Sequence, residues 1–181
     1  ARYDASSTFA PSERWQLFPK FSASYVLVDN RSGLFNNLRL RGALGWAGSQ
    51  PGIVNAYSQF VTFAQSPFAG RPGFVNDVTF GNPTLRNERT REWELGTEVG
   101  FLNGRVGGEV TYYDRIVDDL LFFRPLPTST GFSRQFFPIG SMSNKGIEVL
   151  LRTTNVDQPN FQWSSTATYT KNTNLVESLS I

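Results

Sequence analysis

The sequence predicts an all-β, antiparallel protein, and three observations carry that prediction. The first is a hairpin: residues 91–101 and 105–113 alternate apolar and polar side chains on either side of Asn103-Gly104. Period-two patterning around Asn-Gly is a strong hairpin signal, because both turn residues tolerate positive φ. The second is recurrence, since the same alternation returns at 20–28, 37–47, 144–154 and 161–173, for about six strands in all. The third is an absence: no run of about 20 apolar residues exists to form a transmembrane helix. The longest uncharged run, 42–70, is interrupted by Ser49, Gln50, Pro51, Asn55, Ser58 and Gln59.

Taken in order, Arg2 to Asp4 reads as the end of a strand that follows an abrupt start with no secretory signal, and 5–19 reads as loop, with Ser6, Ser7, Thr8, Pro11, Ser12 and Pro19 leaving no room for a ladder. Residues 20–28 set Phe21, Ala23, Tyr25 and Leu27 against Ser22, Ser24, Val26 and Val28, and 29–33 turns the chain. Residues 37–47 place Leu38, Leu40, Gly42, Leu44 and Trp46 on one face and Arg39 and Arg41 on the other. A long connection, 48–90, leads to the central hairpin. Pairing across its turn sets Phe101 opposite Val106 and Glu98 opposite Glu109, with Trp93, Leu95, Val99, Val110 and Tyr112 on one side and Glu92, Glu94, Glu98 and Glu109 on the other. Like charges directly opposite destabilise a strand pair, so Arg39 and Arg41 are the candidate partners for these glutamates.

A second long connection, 117–143, carries Leu120-Leu121-Phe122-Phe123, Phe132 and Phe136-Phe137 among several prolines. Residues 144–154 then alternate Ile147, Val149 and Leu151 with Glu148, Leu150 and Arg152. After a turn at 155–160, the strand 161–173 sets Phe161, Trp163 and Tyr169 against hydroxyls and amides, and the chain stops at Ile181 in a further loop.

Composition removes whole classes of function. The net charge of +2 is small and the cations are scattered rather than striped, so no nucleic acid is expected. Cysteine and histidine are both absent, which removes disulfides, thiol nucleophiles, histidine bases and most metal or haem sites. No enzyme, catalytic residue, metal or cofactor is expected.

Connection lengths alternate, short at 29–36, 103–104 and 155–160 and long at 5–19, 48–90 and 117–143. An outer-membrane barrel has short turns at one end and long loops at the other, with aromatic residues near its strand ends. Periodicity alone leaves a second reading open, a soluble secreted β-sandwich that binds glycan through aromatic loops.

The segment N-P-T-L-R-N-E-R-T-R-E-W-E-L-G at 82–96 resembles the loop-to-strand signature of TonB-dependent outer-membrane transporters. T-Y-Y-D at 111–114, D-D-L-L at 118–121 and N-K-G-I-E-V at 144–149 resemble its next strands in order. R-W-Q-L-F-P-K-F-S-A-S-Y at 14–25 and L-R-L-R-G-A-L-G-W-A-G-S-Q at 38–50 are similar to the SusC/RagA-like branch. The resemblance implies a bacterial outer-membrane importer of glycan or peptide, with a plug domain, the TonB protein and a SusD-like surface lipoprotein as partners. It also implies a barrel of about 22 strands, which six cannot close. No plug matches within residues 1–181, so the chain is expected to be an internal part of a longer barrel domain.

Two groups of residues are candidates for function under that resemblance. Phe122, Phe123, Phe132, Phe136 and Phe137 form either a stacking platform for ligand or the packing between external loops. Arg39, Arg41, Glu94, Glu98, Glu109, Glu148 and Arg152 are expected to face the lumen, as a substrate path or as a charge ladder meeting plug or water. Asn82 to Glu88 is read as ordering a loop-to-strand junction, with Pro83 fixing φ and Glu88 accepting from neighbours.

Overall fold

The computed structural model describes residues 1–7, 9, 11–29, 35–49, 60–63, 73–76 and 79–179. In chain order, β1 (Arg2–Ala5) and β2 (Trp15–Phe18) pair with each other, β3 (Lys20–Asp29) and β4 (Phe35–Ser49) follow, and β5 (Phe60–Phe63) pairs with β6 (Gly73–Asn76). Then come β7 (Thr79–Phe80), β8 (Glu88–Phe101), β9 (Val106–Pro125), β10 (Arg134–Gln158) and β11 (Phe161–Leu179). The six long strands make one antiparallel sheet in the order β11-β10-β9-β8-β4-β3. Among the described residues no strand covers the free edge of β3 or of β11, and the sheet does not close.

The central hairpin has the expected register, Phe101 opposite Val106 and Glu98 opposite Glu109. Asn103 and Gly104 both take positive φ, 56° and 79°, and the Arg105 amide closes the turn on the Leu102 carbonyl at 3.2 Å. Because side chains alternate strictly, register transmits one face across the whole sheet. Leu40, Thr97, Val110, Val149 and Tyr169 stand in one row from β4 to β11, with Tyr25 beside Leu40 on β3. The row behind it on the other face is Arg39, Glu98, Glu109, Leu150 and Thr168.

The apolar face is open. Tyr25 is 67% exposed, Leu95 59% and Tyr169 58%, and among the described residues no second sheet packs on it. A β-sandwich buries such a face against another sheet about 10 Å away. This is a single open sheet with one apolar face, and the fully buried apolar side chains Phe9 and Leu85 lie outside its six long strands.

Five details depart from the sequence reading. The 117–143 connection shrinks to residues 126–133, because β9 and β10 run on as a tall hairpin of 20 and 25 residues. Apolar Leu120 to Phe123 does not alternate, and Pro138 falls at a register shift where no ladder donor is needed. Residues 15–18 form a strand after all, seated on β1 with Tyr3 and Trp15 stacked at 5.2 Å. A bulge between Val26 and Val28 puts Val28 opposite Leu38, on the apolar side, and leaves Leu27 as the extra residue. Finally, the 48–90 connection contains β5, β6 and β7, and the last strand runs on to Leu179 rather than ending in a loop near Thr173. Most of the turn expected at 29–36 lies outside the described residues, as does Ile181.

Candidate functional site

All seven predicted polar-face residues share one face of the sheet, set there by register. Four of them form a single network. Arg39 reaches Glu98 at 3.4 Å, Arg41 reaches the same carboxylate at 3.6 Å, and the other Arg41 amino group is bonded to Glu109. Arg41 also donates to the Thr111 hydroxyl at 2.6 Å. The opposed pair Glu98 and Glu109 is thus bridged by one guanidinium, whose fork holds two acceptors in fixed geometry. These side chains stay about one-third exposed, so each pair contributes only about 0.2–1 kcal/mol. Glu94, Glu148 and Arg152 share the face but join no ion pair among the described residues. The sequence reading missed Arg115, which pairs with Glu92 and was legible from its phase with Glu109 and Thr111.

Two glycines in the quoted motifs are explained by what lies on them. A Cβ at Gly96 would stand 2.4 Å from Arg41 Nε, and a Cβ at Gly146 would stand 2.5 Å from the Tyr113 hydroxyl. Arg41 and Tyr113 cross a neighbouring strand's backbone, and only glycine leaves that space. A shallow pocket of about 350 Å³ opens beside this network, lined by Lys20, Ala43, Glu92, Glu94 and Arg115 among others.

The long-connection end is ordered differently. β7 lies parallel on Arg134 and Gln135 of β10, and residues 81–87 return from there to the start of β8. Side chains tie this strap down. Gln135 Nε2 donates to the Gly81 carbonyl at 2.8 Å, and Asn82 Nδ2 donates to the Phe136 carbonyl at 2.8 Å. The Asn82 Oδ1 accepts from the Thr84 amide and hydroxyl, Leu85 is wholly buried, and the Glu88 carboxylate accepts from the Leu121 amide at 3.0 Å. The 82–88 motif therefore clamps the upper part of the tall hairpin, close to its 126–133 connection, and Glu88 has the neighbouring donor expected of it.

Of the five candidate aromatics, only Phe132 lies in a connection, where it packs on Phe80 at 4.8 Å. Phe122 and Phe123 pair with Phe137 and Phe136 across β9 and β10, which corrects their reading as loop residues. Phe123 and Phe136 stand 4.0 Å apart, Arg134 lies over Phe123 at 4.3 Å and Arg124 over Phe137 at 5.2 Å. Cross-strand rings and cation–π contacts stiffen the hairpin, while Phe122 and Phe123 remain 43% and 48% exposed. Among the described residues no three metal-ligating side chains cluster, and no helix is long and apolar enough to cross a membrane.

Residues 1–178 match the family described as TonB dependent receptor-like, beta-barrel. The chain is 31% identical over 182 residues to TonB-dependent receptor P26 of Formosa agariphila, covering 97% of this chain and 18% of that protein. It is 30% identical over 190 residues to the TonB-dependent receptor SusC of Bacteroides thetaiotaomicron, covering 98% of this chain and 19% of that one. Among solved structures it is similar to the RagAB peptide importer in the 'closed-closed' state, at a TM-score of 0.84 and 27% identity over 98% of this chain and 20% of that one. The chain thus spans about a fifth of the length of these relatives.

Proposed function

We propose, from the premise that this chain belongs to the TonB-dependent receptor β-barrel family, that it supplies six adjacent staves in the wall of an energised nutrient importer. The chain belongs to the bacterial outer membrane, and it is a piece of transport machinery rather than an enzyme. One observation carries the proposal: a single sheet, apolar on one face and ion-laced on the other, lies on the backbone of a peptide importer over nearly all its length. In that reading Trp93, Leu95, Val99 and Val110 face lipid, and Arg39, Arg41, Glu94, Glu98, Glu109, Glu148 and Arg152 face the lumen. The whole of 1–181 is then part of the barrel domain, and strands beyond β3 and β11 continue its ladder, because open edges in lipid leave N–H and C=O groups unpaired at several kcal/mol each.

The short turn at Asn103-Gly104 then faces the periplasm, and the strapped β9–β10 hairpin stands outside. Phe122 and Phe123, exposed on opposite faces of that hairpin, offer a ring to a peptide or glycan on either side. The other partners are the plug, the TonB protein through a region outside this segment, and a SusD-like surface lipoprotein above the loops. The RagAB neighbour, a peptide importer, supports a peptide cargo, and the TonB-dependent SusC relative supports coupling to TonB. Uptake by cells bearing the complete receptor tests the proposal. Labelled oligopeptides and oligosaccharides are offered with and without a protonophore, and saturable uptake of one class that stops when the proton gradient collapses is expected. Uptake indifferent to the protonophore would mean a passive pore and sink the proposal.

A further inference from the structure

The outward face is not uniformly apolar from end to end. Counted from the short-turn end, Arg91 stands ten residues up β8 from Phe101, and Lys171 stands ten residues up β11 from Phe161. At about 3.3 Å per residue and a tilt near 40°, both lie roughly 25 Å above the turns, at the top of an apolar band of that height. Register puts both on the lipid-side face: Arg91 lies opposite Trp46 and Ile116, and Lys171 lies opposite Ile147. Two other outward cations near this height have an acidic neighbour. Lys145 pairs with Asp114 at 3.2 Å, and Arg89 lies opposite Asp118 in register. Arg91 and Lys171 join no ion pair among the described residues. The lower rim contrasts with this, since Phe35, Phe101, Val106, Thr153, Trp163 and Phe161 hold that side of the strands without a charge.

We propose that Arg91 and Lys171, above the Trp93–Tyr112 ring pair (5.4 Å), bind phosphate groups on lipid headgroups of the leaflet at the long-connection end. The inference rests on the reading of this face as the lipid face. Long cationic side chains lay their stems along apolar surface and lift the charge into the headgroup layer. Tyr169, two residues from Lys171 on the same face, adds a ring at that boundary. Each cation near an anionic leaflet contributes about fivefold in binding, so two contribute roughly thirty-fold.

The test uses the complete receptor in neutral-lipid nanodiscs, with diphosphoryl lipid A or its dephosphorylated form added and retention read by native mass spectrometry. Wild-type receptor is expected to retain the phosphorylated form preferentially, in a salt-sensitive way. Arg91→Gln with Lys171→Gln should lose roughly thirty-fold of that retention, while the charge-conserving pair Arg91→Lys with Lys171→Arg keeps it. Arg152→Gln, on the opposite face, should leave it unchanged. Equal retention of the two lipid forms by wild type, or an equal loss in Arg152→Gln, overturns the inference. A receptor that inserts but does not discriminate overturns this inference alone, whereas one that never enters lipid overturns the membrane reading with it.

Discussion

The lower sheet and the strapped hairpin above it are built from the same antiparallel ladder but are held by different forces. Below Trp93, order comes from alternation: each side chain's face follows from its register, and the two faces meet different media. Above it, β9 and β10 continue as an unshielded hairpin, and order comes from side chains that satisfy another segment's backbone. Gln135, Asn82 and Glu88 each bond a main-chain group at least 33 residues away, around the buried Leu85. A repeating pattern suffices where the environment is layered. Where it is not, individual polar groups must be placed one by one, since an unpaired buried group costs about 1–3 kcal/mol.

The largest effect that would test this division is at Leu85. Leu85→Ala leaves a cavity in the strap and should cost about 2–5 kcal/mol. Hydrogen exchange on the complete receptor should then lose protection at 79–90 and 120–137 while 93–113 keeps it. A uniform loss would mean that the two regions open as one unit. Next comes Val110→Arg, which sets a charge on the lipid face in mid-band and should cost about 2–4 kcal/mol in folding into bilayers. Thr168→Arg, two strands away on the other face, should cost little. Thr111 is unsuitable as that control, because it is only 7% exposed and bonded to Arg41. A larger cost at 168 than at 110 would show the faces reversed, and equal costs would sink the lipid-face reading. The smallest effect is Arg39→Gln, expected to lower the unfolding free energy measured in urea by less than about 1 kcal/mol, since Glu98 keeps Arg41. A much larger shift would make the charge ladder cooperative.

The lower sheet was legible because period two, an Asn-Gly turn and matched charges all point to the same register. Arg39 and Arg41 as partners of the glutamates followed from pattern alone. The bulge at Val26 was not legible, since Leu27 and Val28 are both apolar and either phase satisfies the alternation. The tall hairpin was misread as a loop because its strand ends, Leu120 to Phe123 and Arg134 to Pro138, carry prolines and no alternation. Its edges are held by ring pairs and by a strap from 50 residues earlier, which no local window contains. The role of Gly146 is hidden for the same reason: it is set by Tyr113 on the neighbouring strand.

The turn at Asn103-Gly104 has a consequence for how the sheet comes together in time. It closes one of the two most local pairings among the long strands, the other being β10–β11, where Gln158 lies opposite Phe161, and hairpins of this kind form in about 1–10 μs. The turn also carries bonds to both neighbouring hairpins. Asn36 accepts from the Gly104 amide at 3.1 Å, the Thr154 amide donates to the Arg105 carbonyl at 2.7 Å, and Arg105 Nη2 donates to the Asn155 carbonyl at 2.9 Å. Those partners lie 68, 49 and 50 residues away, so they are reached only after slower loop closure. The turn between β8 and β9 is thus a point where both flanking hairpins are fixed to the central one.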